Sequence, residues 1–206
     1  MLTIWGRINS INVMKVLWTC TELGIAYERI DAGMQHGVVD TDHYGAMNPN
    51  RRVPTIRDGD FVLWESNAIV RYLAMRERRV DLLPERARER ADAERWMDWC
   101  TSTLAAPMTT IFWQLIRTPA ERRDAGQIER SSADTARLFA LLDHHLAERS
   151  YLSGHTLTVA DIAVAPFVHR WLALPLEHPR LLALDAYYRR MMMRPAFRQH
   201  VALPLS

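Results

Sequence analysis

The chain has 206 residues, 49% of them hydrophobic, enough to bury a substantial core in one compact domain or two small ones. Net charge is +2, and of the 26 basic residues only Lys15 is a lysine, so the basic character is an arginine preference without a single-sign face, and no nucleic-acid partner is implied. The opening residues MLTIWGRINS carry no basic-then-apolar signal, and no apolar run approaches the ~18 residues of a membrane span, so the expectation is a cytoplasmic protein without a membrane partner.

In chain order, residues 2–5 (LTIW) read as a strand, and a polar loop runs to Ser10. A helix follows from about Asn12 to Leu23, ended by Gly24. The alternating AYERI at 26–30 suits a second strand, which makes the beginning β-α-β. Residues 32–50 are irregular and glycine-spotted, with a helical turn near Tyr44. The runs PTIR and FVLW, separated by Asp58-Gly59-Asp60, form a hairpin signal. Ser66 opens a helix with Ile69, Tyr72 and Leu73 on one face. Composition changes around Pro84, and the pattern beyond it is helical throughout, with Leu138, Leu141, Leu142, His145 and Leu146 as one stripe.

The expected organisation is an α/β domain over 1–80, a linker over 81–86 and an all-α helical bundle over 87–206. Trp96, Trp99 and Trp113 read as core or interface, and Met191 to Met193 as helix packing. In SGHTLTVADIAVAP, Thr158 and Asp161 have the spacing of a capping box, with Leu157 stapling onto Ile162. Cys20 and Cys100 have neither dithiol nor metal-ligand spacing and read as buried core residues. No two histidines stand at i, i+4, and no phosphate-binding glycine pattern follows a strand, so metal and nucleotide cofactors are not expected.

Pro54 cannot donate to a sheet ladder, yet it opens a strand-like run. A β-α-β unit, a hairpin and a helix follow the order of the thioredoxin fold, and there the proline has a use. If the Val53-Pro54 peptide is cis, the Val53 N–H and C=O face solvent as a free edge. An extended thiol peptide such as glutathione could pair there as an added strand.

NPNRRVPTI, WESNAI, SINVMKVLWTCTELGIAYE and LTVADIAVAP together resemble the cytosolic glutathione transferase family over essentially the whole chain. The resemblance implies a thioredoxin-like glutathione-binding domain followed by a helical domain that contributes a hydrophobic substrate site. It implies that Val53 before Pro54 pairs with the glutathione backbone and that Glu65 and Ser66 hold the γ-glutamyl end. It further implies that Arg52 faces the glycyl carboxylate, with His36 or Gln35 near it. Arg51 stands where the family usually has glycine, at a position that favours positive φ, and could add a second cation.

No cysteine occupies the start of the first helix, where NSINVMK instead resembles bacterial theta- and nu-like members. Ser10 and Asn12 are the candidates to contact the glutathione sulfur, Ser10 as main donor and Asn12 in support, although spacing leaves open which of them does. Trp113 and Arg117, with Phe112 and Trp171 behind them, are the candidates for the site of a small hydrophobic electrophile. The expected activity is conjugation of glutathione, a co-substrate, to small apolar electrophiles. Peroxidase or disulfide reductase activity and a non-catalytic binding protein are the alternatives. The resemblance also implies a homodimer, in which Asp98 reaches the partner's glutathione.

Overall fold

The computed structural model describes all 206 residues. Strand β1 (Leu2–Trp5) leads through a loop that begins with Gly6 to helix α1 (Ile11–Leu23), and β2 (Tyr27–Ile30) then pairs parallel to β1. A short helix α2 (Asp42–Met47) replaces the single turn expected near Tyr44, because Thr41 caps it by accepting from the Tyr44 N–H. β3 (Thr55–Asp58) and β4 (Phe61–Trp64) form the hairpin, and α3 (Ser66–Arg76) follows. Asp58 pairs with Phe61, so the turn is Gly59-Asp60, with Gly59 at φ 60°. Sheet order is β2-β1-β3-β4, with β3 antiparallel to both neighbours.

Alternation along β1 divides the packing of this half. Leu2 and Ile4 join Ile56 under α1 and α3, in one cluster with Val13, Val16, Leu17, Ile69 and Leu73. Trp5 turns to the other face, where it meets Ala32 and Tyr44.

The rest is helical: α4 (Ala87–Trp99), α5 (Ala105–Phe112), α6 (Ala125–Leu146), α7 (Val159–Ala173), α8 (Leu182–Met192) and α9 (Pro195–His200). Wide π turns at Cys100–Leu104 and Trp113–Arg117 flank α5. Pro107 in the first turn of α5 has no N–H to return to the turn before it, which suits the irregular junction there. On α6 the buried line is Thr135, Phe139, Leu142 and Leu146. Leu141 of the expected stripe is 48% exposed, so the helix is rotated from that reading. The capping box at Thr158 forms as expected, and Asp161 is fully buried. Both cysteines are free and buried.

The two halves share one core. Met14 and Trp18 of α1 and Val70 and Ala74 of α3 belong to the cluster that holds the helical half together. Trp18 meets Phe197 edge-on at 5.0 Å. Leu82 and Leu83 in the connecting segment are buried, and the Leu82 carbonyl accepts from the Val159 N–H. Glu22 on α1 accepts two bonds from Arg194, at 2.8 and 2.6 Å, and one from the Trp18 indole. No helix is long and apolar enough to cross a membrane.

Candidate active site

A cleft of about 440 Å³ opens between the two halves and is lined from both. One end is built at the start of α1. Gly6 lies so close to that helix that a Cβ would fall 2.4 Å from the Val13 Cγ2, so a larger residue would push the loop away. Ser10 occupies the N-cap of α1 with φ −85° and ψ 120°. Thr41, Asp124 and Thr158 each accept a backbone N–H as caps of their helices, whereas the Ser10 side chain makes no cap bond. Ser10 is 7% exposed and lines the cleft, its hydroxyl unspent. Asn12, exposed in the first turn, lines the cleft too.

The opposite edge is the segment before β3. The Val53-Pro54 peptide is cis, and neither the N–H nor the C=O of Val53 bonds within the chain. Two buried groups clamp this segment. The Tyr44 hydroxyl donates to the Arg52 carbonyl at 2.7 Å and lies 2.8 Å from the Thr55 hydroxyl. Asn48 donates to the same carbonyl at 2.8 Å and to Thr55 at 3.1 Å, and accepts from the Asn50 N–H. With the carbonyl of Arg52 doubly held, the Val53 backbone is presented as a fixed edge, able to take an extended peptide as a further strand.

At the far end, Glu65 caps α3 at φ 73°, a conformation that costs a non-glycine residue of order 1–3 kcal/mol. Its carboxylate has no ion-pair partner, and Ser66, 6% exposed, begins the helix beside it. A carboxylate facing a helix N-terminus with a serine hydroxyl is suited to one ammonium and one carboxylate on the same ligand. Lys15 lies buried behind this end, its ammonium 5.2 Å from the Phe167 ring. Burial lowers its pKa, as does Arg170, against the pull of Cys100 and Glu65.

Of the other residues singled out from the sequence, Arg52 lines the cleft with an unpaired, exposed guanidinium. Arg51 has φ 52°, the left-handed conformation its glycine-like position requires, and donates to the carbonyls of Val39 and Thr41. It ties down the loop. Gln35 and His36 bond to each other at 3.1 Å and do not line the cleft, whereas the neighbouring Met34 does. Phe112, Trp113 and Arg117 do line it, and Trp113 is 46% exposed. Trp171 does not. It is 2% exposed and packs on Phe139 and His178, because α7 is buried on nearly every face. Asp98 lies on the outer side of α4, paired with Arg71 at 3.3 Å, in a groove that also reaches Glu65 and Ser66.

Arg7 and Arg170 line the cleft as well and escaped the sequence reading. The available signal for Arg170 was a cation in the largely apolar run IAVAPFVHRWLA, since arginine is seldom buried without cause. Arg7 had no such signal.

Residues 1–75 match the family model "Glutathione S-transferase, N-terminal domain", and residues 104–195 match "Glutathione S-transferase, C-terminal domain". The chain is 44% identical to glutathione S-transferase GstB of Escherichia coli K12, with all of both chains covered. It superposes with a TM-score of 0.96 on a theta class glutathione S-transferase from Xanthomonas axonopodis pv. citri, whose crystal structure has glutathione bound. Identity is 45%, over 100% of this chain and 99% of that one. Glutathione transferase F7 of Populus trichocarpa, at 21% identity and a TM-score of 0.89, shares the fold. With both family models matched and full-length relatives well above 30% identity, the chain belongs to the glutathione S-transferases, a family of enzymes.

Proposed function

We propose that this chain conjugates glutathione to small electrophiles, with the sulfur held at Ser10. The observation that carries the proposal is that three groups with no partners of their own line one cleft: the Val53 backbone edge, the Glu65-Ser66 pair and the Ser10 hydroxyl. A glutathione laid along the cleft pairs its cysteine backbone with Val53, its α-ammonium with Glu65 and its α-carboxylate with Ser66 and the α3 N-terminus. Arg52 then faces the glycyl carboxylate, and the sulfur arrives at the start of α1.

A free thiol titrates near 8.5, and holding it mostly ionised at neutral pH needs a downward shift of roughly two units, or ~2.7 kcal/mol. A hydrogen bond to a charged group contributes ~1.5–3 kcal/mol and a helix N-terminus ~0.3–1. Ser10, aided by the positive end of α1 and by Asn12, supplies enough, and no general base is needed.

The test is the ultraviolet thiolate absorbance of bound glutathione against pH. Ser10→Ala should raise the midpoint by a unit or more. An unmoved midpoint, with a rise in Asn12→Ala instead, transfers the role to asparagine. Binding of glutathione without turnover of any electrophile, peroxide or mixed disulfide would make the chain a binding protein.

We also infer a homodimer, built from the β3-β4 hairpin and α3 of one subunit against α4 of the other. Phe61 and Met75, 48% and 58% exposed on that side, support it. Asp98 would then approach the γ-glutamyl end of the neighbouring site. A monomer in light scattering at micromolar concentration removes both statements.

A further inference from the structure

The acceptor side of the cleft is not a simple apolar wall. Arg7 from the loop after β1, Arg117 from the second π turn and Arg170 from α7 all line it. They are close enough to depress one another. Burial and then Arg117 lower the pKa of Arg7, and burial followed by Arg117 and Arg7 brings Arg170 to about 9. Neither Arg7 nor Arg170 meets a carboxylate, and Arg117 meets no Asp or Glu, in a chain where Arg29, Arg71, Arg76, Arg79 and Arg194, among others, are ion-paired.

Arg170 is the extreme case. It is 8% exposed, makes no hydrogen bond, and lies 3.9 Å from the centre of the Phe112 ring. The Nε of Arg7 is buried without a partner. Arg117 donates to the Met34 sulfur at 3.0 Å and to an oxygen of Ser206, the last residue, at 3.1 Å, and lies 4.9 and 5.0 Å from the Phe112 and Trp113 rings.

Burying an unpaired cation is unfavourable. Of the three, Ser206 meets only Arg117, which leaves Arg7 and Arg170 on the same wall without an anion, and guanidinium groups match a carboxylate in paired, in-plane bonds. The anions of glutathione already have their partners at Ser66 and Arg52 in the binding mode above. We propose that the acceptor itself carries an anionic group, a carboxylate or a group of like shape. It would sit among Arg7, Arg117 and Arg170, with the body of the acceptor on Phe112 and Trp113.

This deepens the proposed conjugation and rests on it. For a benzylic bromide bearing a para carboxylate, the thiolate forms the C–S bond as the C–Br bond breaks and bromide leaves. The carboxylate takes no part except to anchor the ring.

The experiment compares two unreactive product analogues, S-(4-carboxybenzyl)glutathione and S-benzylglutathione, by isothermal titration calorimetry at low ionic strength. The carboxylated one should bind at least tenfold tighter. That ratio should shrink with added salt and fall towards one in Arg117→Met and in Arg170→Met. Should Arg170→Met fail to fold, the more accessible Arg117→Met decides. Equal affinities in the unaltered protein, or a ratio that survives replacement, overturns the anion site. A loss of glutathione affinity in Arg117→Met with the ratio intact also overturns it, and gives the arginines to glutathione.

Turnover of 4-(bromomethyl)benzoate and its amide separates this inference from the one beneath it. Turnover of both at equal rates with equal binding leaves the transferase reading standing and removes the anion site. A tenfold binding preference without turnover of either does the reverse.

Discussion

The two walls of the cleft are made in different ways. The wall proposed for glutathione is built from backbone and from residues adjacent in sequence: the Val53 edge, Glu65 with Ser66, and the α1 N-terminus at Ser10. The wall proposed for the acceptor is built from side chains brought together from the β1–α1 loop, the turn after α5 and the last turn of α7. Backbone devices tolerate little variation, since they need one φ, one cap or one free edge. A wall of converging side chains can change with single substitutions while the fold stands. The first wall therefore suits the common substrate, and the second suits whatever sets the preference for an acceptor.

The largest effect should come from the glutathione wall. Ser66→Ala removes a hydroxyl donor to a carboxylate, worth ~1.5–3 kcal/mol, so KM for glutathione should rise about 10- to 100-fold. Relative rates among acceptors should stay in the same order, as steady-state kinetics against three acceptors would show. A reordered acceptor series would break the division between the walls.

This division also explains what was legible in the sequence. The cis Val53-Pro54 edge, the Glu65-Ser66 pair, the Ser10 cap and the Thr158–Asp161 box each act over a few residues, so their spacing carries them. The clamp on Arg52 by Tyr44 and Asn48 was hidden, because nothing in either residue says that its polar atoms point back to one carbonyl. The arginine cluster was hidden for the same reason on a larger scale. Its members meet only once α7 packs beside α1 and the π turn swings Arg117 round. Trp171 misled for the converse reason: helical periodicity does not tell an aromatic that faces a cleft from one sealed inside a helix that is buried all round.

Asn48→Ala should have the next largest effect. It deletes two donors and one acceptor at a 2% exposed position, and leaving buried partners unsatisfied costs about 1–3 kcal/mol. The melting temperature should fall, and KM for glutathione should rise along with it because the Val53 edge loses a support. A drop in stability with unchanged KM would show that Tyr44 alone holds the edge. Trp113→Ala should have a smaller and different effect. With its ring 46% exposed in the cleft, its removal should alter the preference between aromatic and aliphatic acceptors several-fold, with little change in glutathione affinity. An unaltered profile takes Trp113 out of the acceptor wall.

The smallest predicted effect concerns what keeps the walls facing each other. Burial resists ionisation of Glu22, but the bonds from Arg194 and Trp18 outweigh it and hold its carboxyl below the ordinary value. A carboxylate whose pKa is lower folded than unfolded stabilises the fold above its unfolded pKa, about 4.3, and that contribution disappears as pH falls through the lower, folded value. Asp161 has the opposite sign. Burial raises it to about 6 despite the donors at Leu152, Thr158 and Tyr187, so its contribution is full below the unfolded value near 3.9 and is lost as pH rises through about 6. The raw pH profile of stability therefore mixes the two. Comparing Glu22→Gln with the unaltered chain cancels Asp161, which both proteins share. Glu22→Gln should melt lower at pH 7, and the gap in melting temperature should close as pH falls below the unfolded value and on through the lower, folded one, where the native carboxylate too becomes neutral. A gap that stays constant from pH 7 to pH 3 would mean that Glu22 works by packing and hydrogen bonding alone, and that its charge does nothing to dock α1 against α9.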